Sequence, residues 1–283
     1  MNYRCYFCLF RSFEKLLESH PLKETQKDRM VKDFLQIIAA MDMEQRAPDI
    51  TRYLQQQIKL MLKTDDPYIK EKMLNNQLML KHYTDFERRV NNSPDRFDTA
   101  LRLAIAGNII DYAANPEFDV MKTIEYVLSE DFAIDHSRSL QQDIANAGTV
   151  LYLGDNTGEI VINKLLINTI GHKNLYSAVR GKPVLNDATI EDAVFVGIDK
   201  HANIISNGYD APSTLLDKVS VEFLEIWSKA DIVISKGQGN LEGLINHKDK
   251  PVYFLFMVKC DLIGAMVGAK KGDFVVIKNT LMN

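Results

Sequence analysis

Thr149-Val150-Leu151-Tyr152-Leu153-Gly154-Asp155-Asn156-Thr157-Gly158-Glu159-Ile160 is the stretch from which the fold of this chain is read. An apolar run stops at Gly154, a carboxylate and an amide follow side by side, and a helical pattern of Ile160, Val161, Leu165, Leu166 and Ile167 begins. In open α/β sheets, ligands bind where a parallel strand gives way to a helix N-terminus. The hard oxygens of Asp155 and Asn156 suit Mg²⁺ or Mn²⁺, and the helix end suits a phosphate. An Asp N-cap and an Asn in a tight turn would look the same, so the neighbouring segments must decide.

Downstream, short apolar runs alternate with helical patterns. Strands are predicted at 148–153, 174–179, 193–197, 203–206, 231–235, 251–257 and 273–277, with helices at 158–170, 213–229, 239–246 and 261–268. Several of the runs are apolar throughout, as strands covered on both faces should be. Upstream, apolar residues recur at helical spacing (Met30, Val31, Phe34, Ile37, Ile38, Met41; Ile50, Leu54, Ile58, Leu62), and Pro21, Pro48, Pro67, Pro94 and Pro116 punctuate the segments. The expected architecture is α/β: a three-layer, mostly parallel sheet domain over residues 147–283, preceded by an all-helical N-terminal region over residues 1–146.

The 283 residues can bury a sizeable core, and 46% hydrophobic with 25% charged content is ordinary for a globular protein. A net charge of −4 argues against a nucleic-acid partner. No apolar run is long enough to cross a bilayer, and Arg11, Glu14 and Lys15 break the N-terminal apolar run, so no membrane partner and a cytoplasmic location are expected. Cys5-x-x-Cys8 lacks a second such pair. Cys260 would have to fold back, with a fourth ligand, to make a soft-metal site. Two small buried residues on one helix face is the favoured reading of the pair.

Polar residues cluster after the predicted strand ends: Asp155 and Asn156; Arg180-Gly181-Lys182-Pro183, then Asn186-Asp187-Ala188-Thr189; Lys236-Gly237-Gln238-Gly239-Asn240; and Lys259. In a parallel sheet these ends meet along one edge. The resulting crevice would hold carboxylates, amides, cations and backbone N–H groups, which suits an anionic ligand balanced by a divalent cation. The glycine run after Lys236 is not a dinucleotide fingerprint, because Gly243 falls one place too late. In the helical half, Asn108 and Asp111 are three apart, share a helix face among apolar neighbours, and read either as a buried polar pair or as a wall of the crevice. The six histidines show no ligand spacing.

These motifs, together with Cys5-x-x-Cys8, Asp66-Pro67-Tyr68 followed by Lys72 and Asn75, and Ala106-Gly107-Asn108-x-Ile110-Asp111, resemble those of the metal-dependent damage-control phosphatases. That family was formerly a domain of unknown function and was once linked to carboxyl methyltransfer. The resemblance runs in one order along nearly the whole chain, and the C-x-x-C places it with the subgroup common in archaea and bacteria. It implies that Asp155, Asn156 and Asp187 ligate a divalent metal (Mn, Co, Ni or Mg), that Lys259 contacts phosphate, and that Gly237, Gln238, Gly239 and Asn240 contact substrate. Asn108, Asp111, Glu159, Arg180 and Lys236 sit in family motifs as further substrate-binding candidates. Asp261 and Leu262 depart from the apolar residue many relatives carry after the Lys-Cys pair.

The expected activity is hydrolysis of phosphomonoesters of small phosphometabolites, damaged or reactive ones among them, such as sugar phosphates or phosphopantetheine-like compounds. Catalysis would fall to Asp155, Asn156, Asp187 and Lys259, with either an activated water or Asp155 itself as the attacking group. Two alternatives stand beside it: an S-adenosylmethionine-dependent carboxyl methyltransferase, and a non-catalytic binder of phosphorylated ligands or metal.

Overall fold

The computed structural model describes residues 2–40, 46–107 and 120–281. The helical part comprises α1 (Tyr3–Ser19), α2 (Glu24–Ala40), α3 (Ala47–Leu62), α4 (Ile69–Asn92), α5 (Arg96–Ala106) and α6 (Val120–Ser129). It is followed by β1 (Ile134–Asp135), α7 (Ser137–Asn146), β2 (Val150–Leu153), α8 (Glu159–Ile170) and β3 (Leu175–Val179). Next come α9 (Ile190–Phe195), β4 (Asn203–Ser206), α10 (Val221–Lys229), β5 (Ile232–Lys236) and α11 (Gly237–Leu244). β6 (Val252–Met257), α12 (Asp261–Val267) and β7 (Phe274–Lys278) complete the fold.

The strands form one sheet in the order β1-β7-β6-β5-β2-β3-β4. The run from β6 to β4 is parallel throughout, whereas β7 lies antiparallel to β6 and parallel to β1. The chain steps outward from β2 to β3 and β4, then returns to the other side of β2 with β5 and β6. That reversal makes the carboxyl ends of β2 and β5 the topological switch point, where such sheets open a crevice. Leu153 pairs with Ser235 on one side and Ala178 on the other, so the segments after all three strands begin at one edge.

Side chains alternate between two cores, as the period of two requires. Val150 and Tyr152 of β2 join Ile232, Ile234, Tyr253 and Leu255 in a buried cluster with Met79 and Phe86 of α4, Leu101 and Ile105 of α5, and Ile160 and Leu166 of α8. Leu151, Leu153, Val233, Phe254 and Phe256 face the other way, against Phe223, Leu241 and Ile263. The three-layer, mostly parallel expectation holds. The sheet also takes its edge strand β1 from before residue 147. Helices α1 to α3 enclose a separate small core of Phe13, Leu16, Met30, Phe34, Leu54 and Ile58.

Two expected elements differ. The apolar run at 193–197 is not a strand; α9 covers its start, held by a capping box between Thr189 and Asp192 and closed at Gly197 with φ 82°. A run this short carries no periodicity of its own, so the cap upstream decides it. The helix expected from 213 begins at Val221, because Ser220 supplies the N-cap by accepting the Phe223 N–H. Among the described residues, no helix is long and apolar enough to cross a membrane.

Candidate active site

Backbone hydrogen bonds stitch the β2–α8 and β3–α9 junctions together. Gly154 N–H donates to Ala178 O (2.9 Å), Thr157 N–H to Asn186 O (2.8 Å), and Ala188 N–H to Asp155 O (2.9 Å). Asn156 and Asp187 form an isolated antiparallel bridge. The turn that delivers Asp187 carries Leu185 at φ 48°, a left-handed conformation that a branched side chain seldom adopts and that marks functional turns. The two carboxylates and the amide are therefore neighbours because the sheet places their loops in contact.

Arg180, at the end of β3 and 2% exposed, joins the carboxylates. Its Nε donates to Asp187 Oδ2 at 2.5 Å and its Nη2 to Asp155 Oδ1 at 3.3 Å. Nη1 donates to Asn240 Oδ1 (3.0 Å) and to Thr214 Oγ1 (3.3 Å). Asn240 Nδ2 in turn donates to the carbonyls of Gly154 (3.1 Å) and Lys236 (2.8 Å), tying α11 to the β2 loop. The planar fork of a guanidinium suits this simultaneous hold on several acceptors. It takes one oxygen from each carboxylate, and Asp155 Oδ2 accepts from Asn156 Nδ2 at 3.4 Å.

Gly237 opens α11 with φ 79°, and a Cβ at that position would lie 1.9 Å from Asp155 Oδ2. Only glycine lets the helix N-terminus approach the carboxylate so closely, where the dipole favours negative charge. A Cβ on Gly239 would meet Pro212 O at 2.5 Å. Gln238 accepts the Lys259 N–H through Oε1 (3.0 Å), which sets the end of β6 beside α11. Lys259 is exposed and lines a cavity of about 630 Å³ with Gln238, Glu242 and Cys260.

The expected residues thus fall into three groups. Asp155, Asn156, Asp187, Arg180, Gly237, Gly239 and Asn240 lie together at the switch point. Gln238 and Lys259 lie beside them on the cavity. Lys236 and Glu159 form an ion pair (3.1 Å) with both side chains 0% exposed, beneath the loops that follow β2 and β5. Asn108 and Asp111 lie outside the described residues. Thr214 was missed because it was absorbed into the helix expected from 213; only its partners across the fold reveal it.

The cysteines also differ from expectation. Cys5 is half-buried, Cys8 exposed, and both line the cavity with Cys260; all three are free thiols. Burial pushes the Cys5 thiol up, away from reactivity at neutral pH. Among the described residues, no group of three or more His, Cys, Asp or Glu side chains is arranged to hold a metal ion. The oxygen set at the switch point is accordingly two carboxylates and one amide.

A family model, the damage-control phosphatase ARMT1-like domain, matches residues 1–275. The chain belongs to this damage-control phosphatase ARMT1-like family. It is similar to damage-control phosphatase PH1575 of Pyrococcus horikoshii, with 30% identity over 99% of this chain and 98% of that one. A damage-control phosphatase of Archaeoglobus fulgidus is 31% identical over 76% of each chain. The uncharacterized protein MJ0202 of Methanocaldococcus jannaschii is 33% identical over 97% of this chain and 94% of its own length. The crystal structure of the P. horikoshii protein, described there as a DUF89 family protein, superposes with a TM-score of 0.91 and 28% identity, covering 99% of both chains. The fold described above is thus shared with the P. horikoshii protein over nearly the whole chain.

Proposed function

We propose that this ARMT1-like chain is a divalent-metal-dependent phosphatase acting on phosphomonoesters of small phosphometabolites, sugar phosphates and phosphopantetheine-like compounds among them. Family membership supports a phosphatase working in metabolite repair. The observation that carries the metal-dependent reading is the convergence of Asp155, Asn156 and Asp187 at the switch point, with both carboxylates on one guanidinium.

The residues fit a hard cation. Three oxygen donors stand on adjacent loops, Arg180 holds one oxygen of each carboxylate, and the missing side chain of Gly237 leaves room beside Asp155 Oδ2, which accepts from Asn156 Nδ2 at 3.4 Å. Asp155, Asn156 and Asp187 would hold the ion. Once bound, a divalent cation supplies Lewis-acid polarisation of the phosphoryl oxygens and a counter-charge for the transition state. Lys259 and the N–H groups opening α11 bind the remaining phosphoryl oxygens and align the ester for in-line displacement. Arg180 positions the carboxylates through bonds it already makes.

The test is phosphate release from a panel of small phosphoesters with Mn²⁺, Co²⁺, Ni²⁺ or Mg²⁺, with and without chelator. Release should need the cation and fall by about a hundred- to a thousandfold in Asp155→Asn and Asp187→Asn, the scale expected for losing direct charge stabilisation. Tight binding without turnover across the panel would instead support a non-catalytic binder.

A further inference from the structure

Lys72, on α4, is 3% exposed and lines a cavity of about 280 Å³ with Arg180, Thr189 and Asp192. Its Nζ stands 3.0 Å from Asp66 Oδ2 and 2.9 Å from Asp192 Oδ2. Burial works against its charge, but Asp192 and Asp66 outweigh burial and raise its pKa, so it stays protonated. Asp192 Oδ2 also accepts the Thr189 backbone N–H and hydroxyl, both at 3.0 Å, and Thr189 follows Asp187 by two residues. Asp192 Oδ1 accepts from Asn76 Nδ2 at 3.2 Å. Asn76, 1% exposed, accepts the Gly158 N–H at 2.7 Å, and Gly158 follows Asp155 by three residues. Gly158 has φ 76°, and a Cβ there would stand 3.4 Å from Asn75 O, so the contact with α4 depends on glycine.

One hydrogen-bonded chain therefore runs from the helical half to both junctions of the site: Lys72 to Asp192 to Thr189 on one branch, and Asp192 to Asn76 to Gly158 on the other. A buried ion pair adds little net stability over apolar packing of the same volume, so an energetic role alone does not account for placing this one here. We propose that Lys72, Asn76 and Asp192 are positioning residues that set the spacing of the Asp155 and Asp187 loops, so that α4 determines the affinity of the site for a divalent cation. The affinity part rests on the phosphatase reading above; the spacing part does not.

The test uses the full chain carrying Asn76→Ala, with Lys72→Met as a second variant. Met79→Ala, an α4 core truncation with no bond to either loop, is the control. Mn²⁺ binding is measured without substrate by calorimetry, and amide exchange over residues 154–158 and 186–189 is measured on the metal-free protein. Asn76→Ala and Lys72→Met should weaken Mn²⁺ binding by about 10- to 100-fold, the range for supporting groups around metal ligands, and should speed exchange in both loops. Met79→Ala should lower Tm while leaving the Mn²⁺ Kd within about twofold, since it removes only packing. Variants that lose Tm as the control does, with unchanged Kd and loop exchange, would overturn the proposal. If the wild-type chain takes up no Mn²⁺, the phosphatase reading fails instead, and unchanged loop exchange in Asn76→Ala would still overturn the spacing role.

Discussion

Gly237 shows how closely α11 is docked against the Asp155 side chain. A methyl group there meets two obstacles, a φ of 79° and an Asp155 oxygen 1.9 Å away. Gly237→Ala should lose about 1–3 kcal/mol of stability from backbone strain. It should also lose about a hundredfold in phosphate release, since displacing Asp155 by an ångström spoils the geometry. Gly268→Ala is the matched control: φ is 81° but nothing lies within 4 Å, so denaturant unfolding should register the strain while turnover does not change. At this scale, Asp155, Asn156 and Asp187 are legible in the sequence because polar residues at several strand ends are more than capping requires. Thr214 and Asn76 are not. Each is an ordinary polar residue in its own segment, and its role exists only through partners 26 and 82 residues away.

Helix α3 has a polar seat. Arg46 pairs with Asp217 at 2.7 Å, Arg52 pairs with Asp210 and lies over the Tyr209 ring at 4.7 Å, and Gln56 donates to Asp210 at 3.2 Å. Lys59 donates to the Pro183 carbonyl, in the loop that leads to Asp187. Burial raises the Asp210 pKa, but bonds from Arg52 and Gln56 pull it down further, and the net shift is downward. A carboxyl depressed in the folded state contributes stability that is complete above its unfolded pKa of about 3.9 and is lost as pH falls through the folded value. With their own small core, α1 to α3 should therefore gain amide exchange below about pH 4, ahead of the sheet. Arg52→Ala should show the same loosening at neutral pH. Equal protection of α1 to α3 and the sheet down to global unfolding would contradict this. The partners of the α3 charges are not legible in the sequence, because nothing local distinguishes a charge facing water from one facing another loop. The strands were legible for the opposite reason: apolar throughout, they had to be covered on both sides. The run at 193–197 shares that look, but the Thr189–Asp192 cap turns it into helix.

For the molecule as a whole, strand order decides where chemistry can occur. The chain winds outward from β2 and then back past it, so the β2 and β5 ends part at one place, and the loops of β2 and β3 bring three oxygen donors there. The helical half joins the main core through α4 and α5 and reaches the crevice floor at Gly107, where a Cβ would lie 2.5 Å from Glu159 Cγ. That union was not legible in the sequence, whose change of pattern near residue 147 marks a change of secondary structure rather than a break in the core. The central claim is that oxygens from two successive βα junctions hold one divalent cation. Mn²⁺ titration of the metal-free chain by calorimetry, beside Asp155→Asn and Asp187→Asn of unchanged Tm, tests it most directly. The account predicts one ion per wild-type chain and loss of that binding in each variant; full binding retained by both variants would contradict it.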